Sequence, residues 1–387
     1  MHIVVIGSGV AGISFAEKYR ALSADDDDCK DAGGRAMQGA IAEITLVTRE
    51  HDGYYSRPLL SRGFTRDDIE QSIILKTFDK LRESNINVYC GAEVTAINRS
   101  DKTIAISGSW SHQFPTDCDT SDLHGRGECR GLPGAVSATI PGGRQEKSLQ
   151  YDKLVLAQGS SAFIPPPFRP YSELFFCLNS LTDLKTLRKF RQDLLNQNRQ
   201  PDWAIIGGGL IGCEVASDLA IAGDNVTLFH AMDRLMERQL AAEDSVLLNN
   251  VLKESGVKVL LNQAVQEFVK EEDKVCVRTD VNAEFDGVIV ACGFKPRTEL
   301  AELAGLETGR GIKVNQYLQT SDESIYALGD VAELPDGKLY AFILPIRNQA
   351  HWLAGFLAGQ EIAGWTPPVF TTKAKVHGFE AVHPYNV

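Results

Sequence analysis

The chain is expected to be an α/β protein carrying two copies of one strand–loop–helix unit, and two pairs of stretches carry that expectation. IVVIGSGVAG at 3–12 and WAIIGGGLIG at 203–212 each run from a short apolar strand through a glycine loop into a helical pattern. YDKLVLAQG at 151–159 and FDGVIVACG at 285–293 repeat a second pattern. Strand and helix signals alternate around them, as in chains built on parallel sheets. Both loops have the GxGxxG spacing, on Gly7, Gly9 and Gly12 and on Gly207, Gly209 and Gly212. The expected fold class is therefore α/β, with two Rossmann-like dinucleotide-binding domains.

The elements follow in order. Strands at 3–7 and 43–48 flank a helix over 10–22, and a polar, Asp-rich insertion occupies about 23–40. A second insertion, rich in Gly, Ser and Asp, is read as irregular chain over about 107–146. Three prolines at 165–167 read as a stiff linker. Beyond them come a strand at the second loop, a helix over 210–222, a strand at 225–230, a helix over 242–255 and a strand at 257–261. The chain then returns to a strand-turn pattern over 313–330 that ends IYALGD. The pattern reads as an internal duplication with the second unit set between the halves of the first. The expected boundaries are 1–164 with 290–365 for the outer domain and 165–289 for the inner one.

At 387 residues and a formal charge of -12, the chain is long enough for two cores and too acidic overall for broad binding to nucleic acid or anionic membranes. No run approaches the about 18 apolar residues of a membrane span, and a strand at residue 3 leaves no room for a leader, so the expected location is cytoplasmic. The eight cysteines, at 29, 90, 118, 129, 177, 213, 276 and 292, are scattered and read as reduced thiols. Nothing in the sequence fixes an oligomeric state.

In a GxGxxG loop the first glycine makes the tight turn, the second admits a pyrophosphate to the backbone, and the third lets helix and strand pack closely. Val10-Ala11 and Leu210-Ile211 open the helices, whose N-terminal N–H groups and dipoles favour phosphate. A single such loop is also what any tight strand-helix turn uses; two in matching contexts point to two dinucleotides. At the end of the following strand an acidic residue is expected on the ribose. Glu50 is available in the first unit, whereas the second has His230, so NADH and NADPH both stay open, with the absence of arginine there leaning to NADH. A resident flavin, FAD, and a visiting nicotinamide answer the two loops most simply. Hydride would pass to flavin N5, leaving no side chain as catalyst.

Taken with YYSRPLLSRGF, LVLAQG, GGGLIGCE, VACGFKPRTEL and IYALGD, the loops resemble the two-dinucleotide-binding flavoprotein reductases, the FAD-dependent pyridine nucleotide-disulfide oxidoreductases with a glutathione-reductase-like fold. Within them the chain is most similar to the rubredoxin reductases. The resemblance implies FAD on the outer domain, NAD(P)H on the inner one and a remnant of a C-terminal interface domain over 366–387. It places Gly7 to Gly12 on the FAD pyrophosphate, Thr48 and Arg49 with Glu50 near the adenosine ribose, and Val94 near the adenine. It also puts Arg57, Pro58 and Gly159 against the flavin side, Asp330 on the ribitol or phosphate, and the N-terminus of a helix beginning near Pro345 toward the flavin. Lys373 matches a lysine that the family brings back to the flavin, and Gly293 lies where the two cofactors meet.

Relatives that use a cysteine pair need a CxxC or CxxxxC near the flavin, and this chain has neither spacing. Cys213 is read as a buried structural thiol. Electrons are then expected to leave reduced flavin directly, for a small carrier such as rubredoxin, met by a rim of Arg57, Arg62 and Arg66 unless these pair with Asp67 and Asp68. An NADH oxidase or a ferredoxin- or nitrite-reductase-type flavoprotein is the alternative enzyme. A non-catalytic NADH-binding flavoprotein is the alternative from another class. His112, Cys118, His124 and Cys129 match no zinc spacing and are read as loop residues, so no metal is expected.

Overall fold

The strand before each glycine loop becomes the centre of a parallel sheet in a computed structural model that describes residues 1–25, 42–109, 137–139, 145–361 and 363–386. The chain divides into two units. The first comprises Met1–Tyr54, Lys76–Ser160 and Pro296–Val369. Its sheet has the order Ile325–Ala327, Lys153–Leu156, His2–Ile6, Glu43–Thr48, Asn87–Cys90, with parallel pairing throughout. Ile3, Val4 and Val5 have no exposed surface, which is why that strand is an unbroken apolar run rather than an alternating one. The helix Val10–Asp25 packs against the helix Ile343–Leu357. A separate antiparallel sheet joins Ala92–Asn98, Thr103–Gly108, Gln145–Gln150 and Ser137–Thr139. The last of these strands lies inside the stretch read as irregular over 107–146, which is corrected to that extent. His112, Cys118, His124 and Cys129 lie outside the described residues, as does most of the 23–40 insertion.

The second unit comprises Tyr55–Leu75, Ser161–Lys295 and Phe370–Val387. It repeats the plan: Lys258–Leu260, Asn225–Phe229, Asp202–Ile206 and Gly287–Val290 form a parallel sheet, and Glu267–Glu271, Lys274–Arg278 and Ala283–Phe285 an antiparallel one. The helices Leu210–Ile221 and Ala242–Glu254 fall where the apolar spacing put them. The proline run is not a linker of extended chain. Pro166–Tyr171, which takes in two of the three prolines, closes into a 3-10 turn that buries Phe168.

Two segments remote in sequence are fastened into this unit by polar contacts. Arg188 donates to the carbonyls of Gly63, Arg66 and Asp67 and pairs with Glu70, while buried Asp218 accepts from Phe64 N–H. At the C-terminal end, buried Asp244 accepts from the N–H groups of Val382 and His383 and lies 3.1 Å from the His383 ring. The Val382 N–H, then the His383 backbone and ring, hold the Asp244 carboxyl below the usual carboxylate range, against the opposing pull of burial. A depressed folded-state pKa contributes stability that is present above the unfolded value, about 3.9, and lost as pH falls through the folded one. Protection of the amides at 382–383, taken against the intrinsic exchange rate at each pH, is therefore expected to be high at neutral pH and to fall as pH drops below that range. In Asp244→Asn it should be low throughout; protection in that variant equal to the wild type at pH 7 would sink the assignment.

Candidate functional site

The two glycine loops are near copies in their backbone bonds. Gly7 N–H donates to Val47 at 2.9 Å and Gly207 N–H to Phe229 at 2.8 Å; Ala157 N–H meets Ile6 and Ala291 N–H meets Ile206, both at 2.8 Å. Gly7 and Gly207 have φ of +111° and +114°, and a Cβ on them would lie 2.3 Å from the Ala157 oxygen and 2.5 Å from the Ala291 oxygen. A Cβ on Gly12 or Gly212 would come within 2.0 or 1.9 Å of the carbonyl oxygen of the first glycine. These four positions are closed to any side chain. A Cβ on Gly9 or Gly209, by contrast, would meet nothing within 4 Å. The middle glycine of each loop thus faces open space at the first turn of a helix, where unpaired N–H groups are available. That is the shape of a phosphate cradle, and it occurs once in each unit.

Around the first loop, Ala11 is buried and Val10 partly so. Ser8 and Thr48, both buried, share a hydrogen bond of 2.8 Å, and Thr48 Oγ1 also accepts from Glu50 N–H. Thr48 therefore shapes the loop and the turn after it. Arg49 is exposed and pairs with Glu93 at 3.3 Å; the carbonyl of Glu50 accepts from Gly91, and Val94 packs partly buried on the core. Gly159, at φ +66°, has open space beside it and accepts from Arg297 N–H. Ser160 donates to Asp330 at 2.7 Å, and the buried carboxamide of Gln349 accepts from Gly329 N–H at 2.8 Å. Asp330 sits in a 3-10 turn, Gly329–Val331. The helix Ile343–Leu357 begins without a side-chain cap.

Arg57, Pro58 and Lys373 belong to the second unit. Arg57 donates to the Asn179 carbonyl at 2.6 Å and lies over the Tyr55 ring, while Pro58 is exposed. Arg62 contacts His377, and Arg66 pairs with Asp68, whose carboxyl it holds below the usual range. All three arginines of the expected rim are thus engaged inside the unit. Lys373 is 78% exposed and reaches only the equally exposed Glu380. Two residues on, Lys375 places its Nζ 2.8 Å and its N–H 2.8 Å from Glu214, which is 4% exposed. Glu214 went unread in the sequence although it stands in the loop motif itself. Its signal was a carboxylate in an otherwise mostly apolar helix, with a second, Asp218, four residues on.

At the second loop, Leu210 is partly buried and Ile211 is 43% exposed. Gly293 is exposed, at φ +114°, and accepts from Phe163 N–H. His230 is 8% exposed and its ring lies beneath the loop: Nδ1 accepts from Gly208 N–H at 3.0 Å, and Nε2 lies 3.1 Å from the Arg234 carbonyl and 3.2 Å from Glu237. Both ring nitrogens are taken internally. Burial pushes the thiols of Cys177 and Cys292 up to about 11 and raises that of Cys213, so none of the three is poised as a thiolate at neutral pH. No described helix is long and apolar enough to cross a membrane, and no cluster of three or more ligating side chains occurs among the described residues.

Comparison with known proteins fits the duplicated cradle. Residues 1–350 match the family model described as pyridine nucleotide-disulphide oxidoreductase. The chain is 41% identical over 364 residues to the nitric oxide reductase FlRd-NAD(+) reductase of Escherichia coli K12, covering 92% of this chain and 79% of that protein. It is 30% identical over 367 residues to the rubredoxin-NAD(+) reductase of Alcanivorax borkumensis, covering 93% and 80%. The structure of an NAD-dependent persulfide reductase from A. fulgidus superposes with a TM-score of 0.75 at 28% identity, over 97% of this chain and 62% of that one. The chain spans 40% of the length of a nitrite reductase [NAD(P)H] from Bacillus subtilis, which it also matches. The family's cofactors are FAD and NAD(P)H, and two cradles at two helix N-termini fit the pyrophosphates of both. With its family match running from Met1 through most of the helix at 343–357, the chain is a member of the pyridine nucleotide-disulphide oxidoreductases, a family of flavoprotein oxidoreductases.

Proposed function

We propose that the chain is an NAD(P)H-dependent flavoprotein reductase of the cytoplasm that passes electrons singly to a small iron-sulfur carrier, most simply rubredoxin. The observation that carries the reading is the pair of matching cradles, each with an open middle glycine. The first unit is assigned to FAD and the second to NAD(P)H, with 366–387 as a remnant of an interface domain. In the first unit, Gly9 and the helix N-terminus receive the pyrophosphate, Ser8 and Thr48 hold the loop, and Asp330, aligned by Ser160, faces the ribitol side. In the second, Gly209 and the N–H groups of Leu210 and Ile211 receive the nicotinamide dinucleotide. Bound FAD supplies the exchange between a two-electron donor and a one-electron acceptor. The chain binds and orients; burial raises the thiols of Cys177, Cys213 and Cys292, which favours direct exit of electrons from the flavin over a relay through these three.

The carrier is suggested by the relative named rubredoxin-NAD(+) reductase, which this chain matches over most of its length. An anaerobic stopped-flow experiment decides. Flavin should bleach within milliseconds to seconds of mixing with a nicotinamide nucleotide and recover on addition of oxidised rubredoxin, on the usual scale of enzyme turnover, about 1–1000 per second. Bleaching with recovery by oxygen alone would favour the oxidase reading. A long-lived bleached state that no carrier discharges would favour a binding role.

A further inference from the structure

We infer that Glu237 is the carboxylate that reads the adenosine ribose at the second glycine loop, and that the reductant is therefore NADH rather than NADPH. The assignment rests on the second loop being the nicotinamide site. The acidic ribose reader of such loops stands at the end of the second strand. Here that position is His230, and its ring is consumed in holding the loop. Because Gly208 N–H donates to Nδ1, the ring proton must be on Nε2, which faces Glu237 Oε2 at 3.2 Å. The imidazole underpins the loop and fixes a carboxylate brought in from seven residues further along.

The turn that delivers Glu237 is tied to the same loop. Met236 N–H donates to the Gly208 carbonyl at 2.9 Å, and Leu235 and Met236 are fully buried as its plug. Arg234 donates to the carbonyls of Leu240 and Glu237 and to Ser245 Oγ, which fixes the backbone at Glu237 and occupies the guanidinium. Glu237 itself remains 23% exposed, so a ligand can reach it. A carboxylate in this position accepts from a ribose 2'-OH and repels a 2'-phosphate. Arg238 is the cation left to attract such a phosphate. It already lies 3.6 Å from the other oxygen of Glu237 and is 86% exposed, where a charge contributes little.

The test is isothermal titration of the oxidised, FAD-loaded protein with NAD+ and with NADP+. The wild type should bind NAD+ at least about tenfold more tightly, the scale of one or two hydrogen bonds to a charged acceptor. Glu237→Gln should shrink that ratio about tenfold and Glu237→Arg should reverse it. Flavin absorbance and melting temperature show whether each variant is folded. Equal ratios in wild type and Glu237→Gln, or a wild type that prefers NADP+, would overturn the assignment while leaving the second loop as a nucleotide site. A wild type that binds neither nucleotide would overturn the functional reading and the assignment with it.

Discussion

Gly9→Val is expected to yield a folded protein that has lost its FAD. Nothing lies within 4 Å of where a Cβ on Gly9 would stand, so a side chain can begin there without displacing the packed core, and the fold should tolerate it. The same open volume is what a pyrophosphate must enter to reach the backbone N–H groups of the helix beginning at Val10. Blocking it removes those bonds together, and FAD affinity should fall by on the order of 100-fold or more. The preparation should be colourless, with far-ultraviolet circular dichroism unchanged. Gly12→Ala separates this effect from simple damage: its Cβ would sit 2.0 Å from the Gly7 oxygen, so helix and strand must part and the unit should lose stability, FAD or no FAD. Gly209→Val carries the argument to the second unit, where FAD should be retained and nucleotide binding lost. A yellow Gly9→Val protein with normal flavin content would remove the first loop from the FAD site.

Both loops were legible because their glycine spacing records backbone contacts, and backbone contacts are what the fold preserves. The three roles assigned to the glycines reappear as two closed positions and one open one in each unit. His230 shows where such reading stops. It stands where the motif expects a ribose reader, but a ring with two nitrogens can be satisfied by the loop on one side and the following turn on the other. Which of these happens depends on a turn seven residues long whose own anchor, Arg234, leaves no periodic trace. The lysine pair is a similar case. Lys373 and Lys375 stand two residues apart, so the sequence alone gives them equal standing. What separates them is the partner each meets, an exposed Glu380 or a buried Glu214. The same buried carboxylates explain why 55–75 and the C-terminal segment group with the second unit.

Glu214→Ala is expected to destabilise the second unit strongly. The side chain is 4% exposed and accepts from Ser61 Oγ at 2.7 Å, from Lys375 N–H at 2.8 Å and from Lys375 Nζ at 2.8 and 3.0 Å. One turn further along the helix Leu210–Ile221, Asp218 accepts from Phe64 N–H and Thr65 Oγ1, and its carboxylate faces the His377 ring. The two carboxylates, spaced i and i+4, thus grip the 61–65 segment and the 375–377 segment from one helix face. Removing a buried partner leaves the donors unsatisfied and a half-buried ammonium without its counterion. The cost should be about 3 kcal/mol, at the low end for a buried pair because Lys375 is 30% exposed. Lys375→Met should cost less, since it removes a charge and leaves Glu214 two N–H or O–H donors. A double-mutant cycle between the two positions should show coupling of about 1–2 kcal/mol. Hydrogen exchange at 374–377 should rise in Glu214→Ala before the parallel sheet of the unit loosens. If the two substitutions prove additive and exchange there is unaltered, the C-terminal segment is held by its apolar contacts at Ala374, Val376 and Phe379 instead.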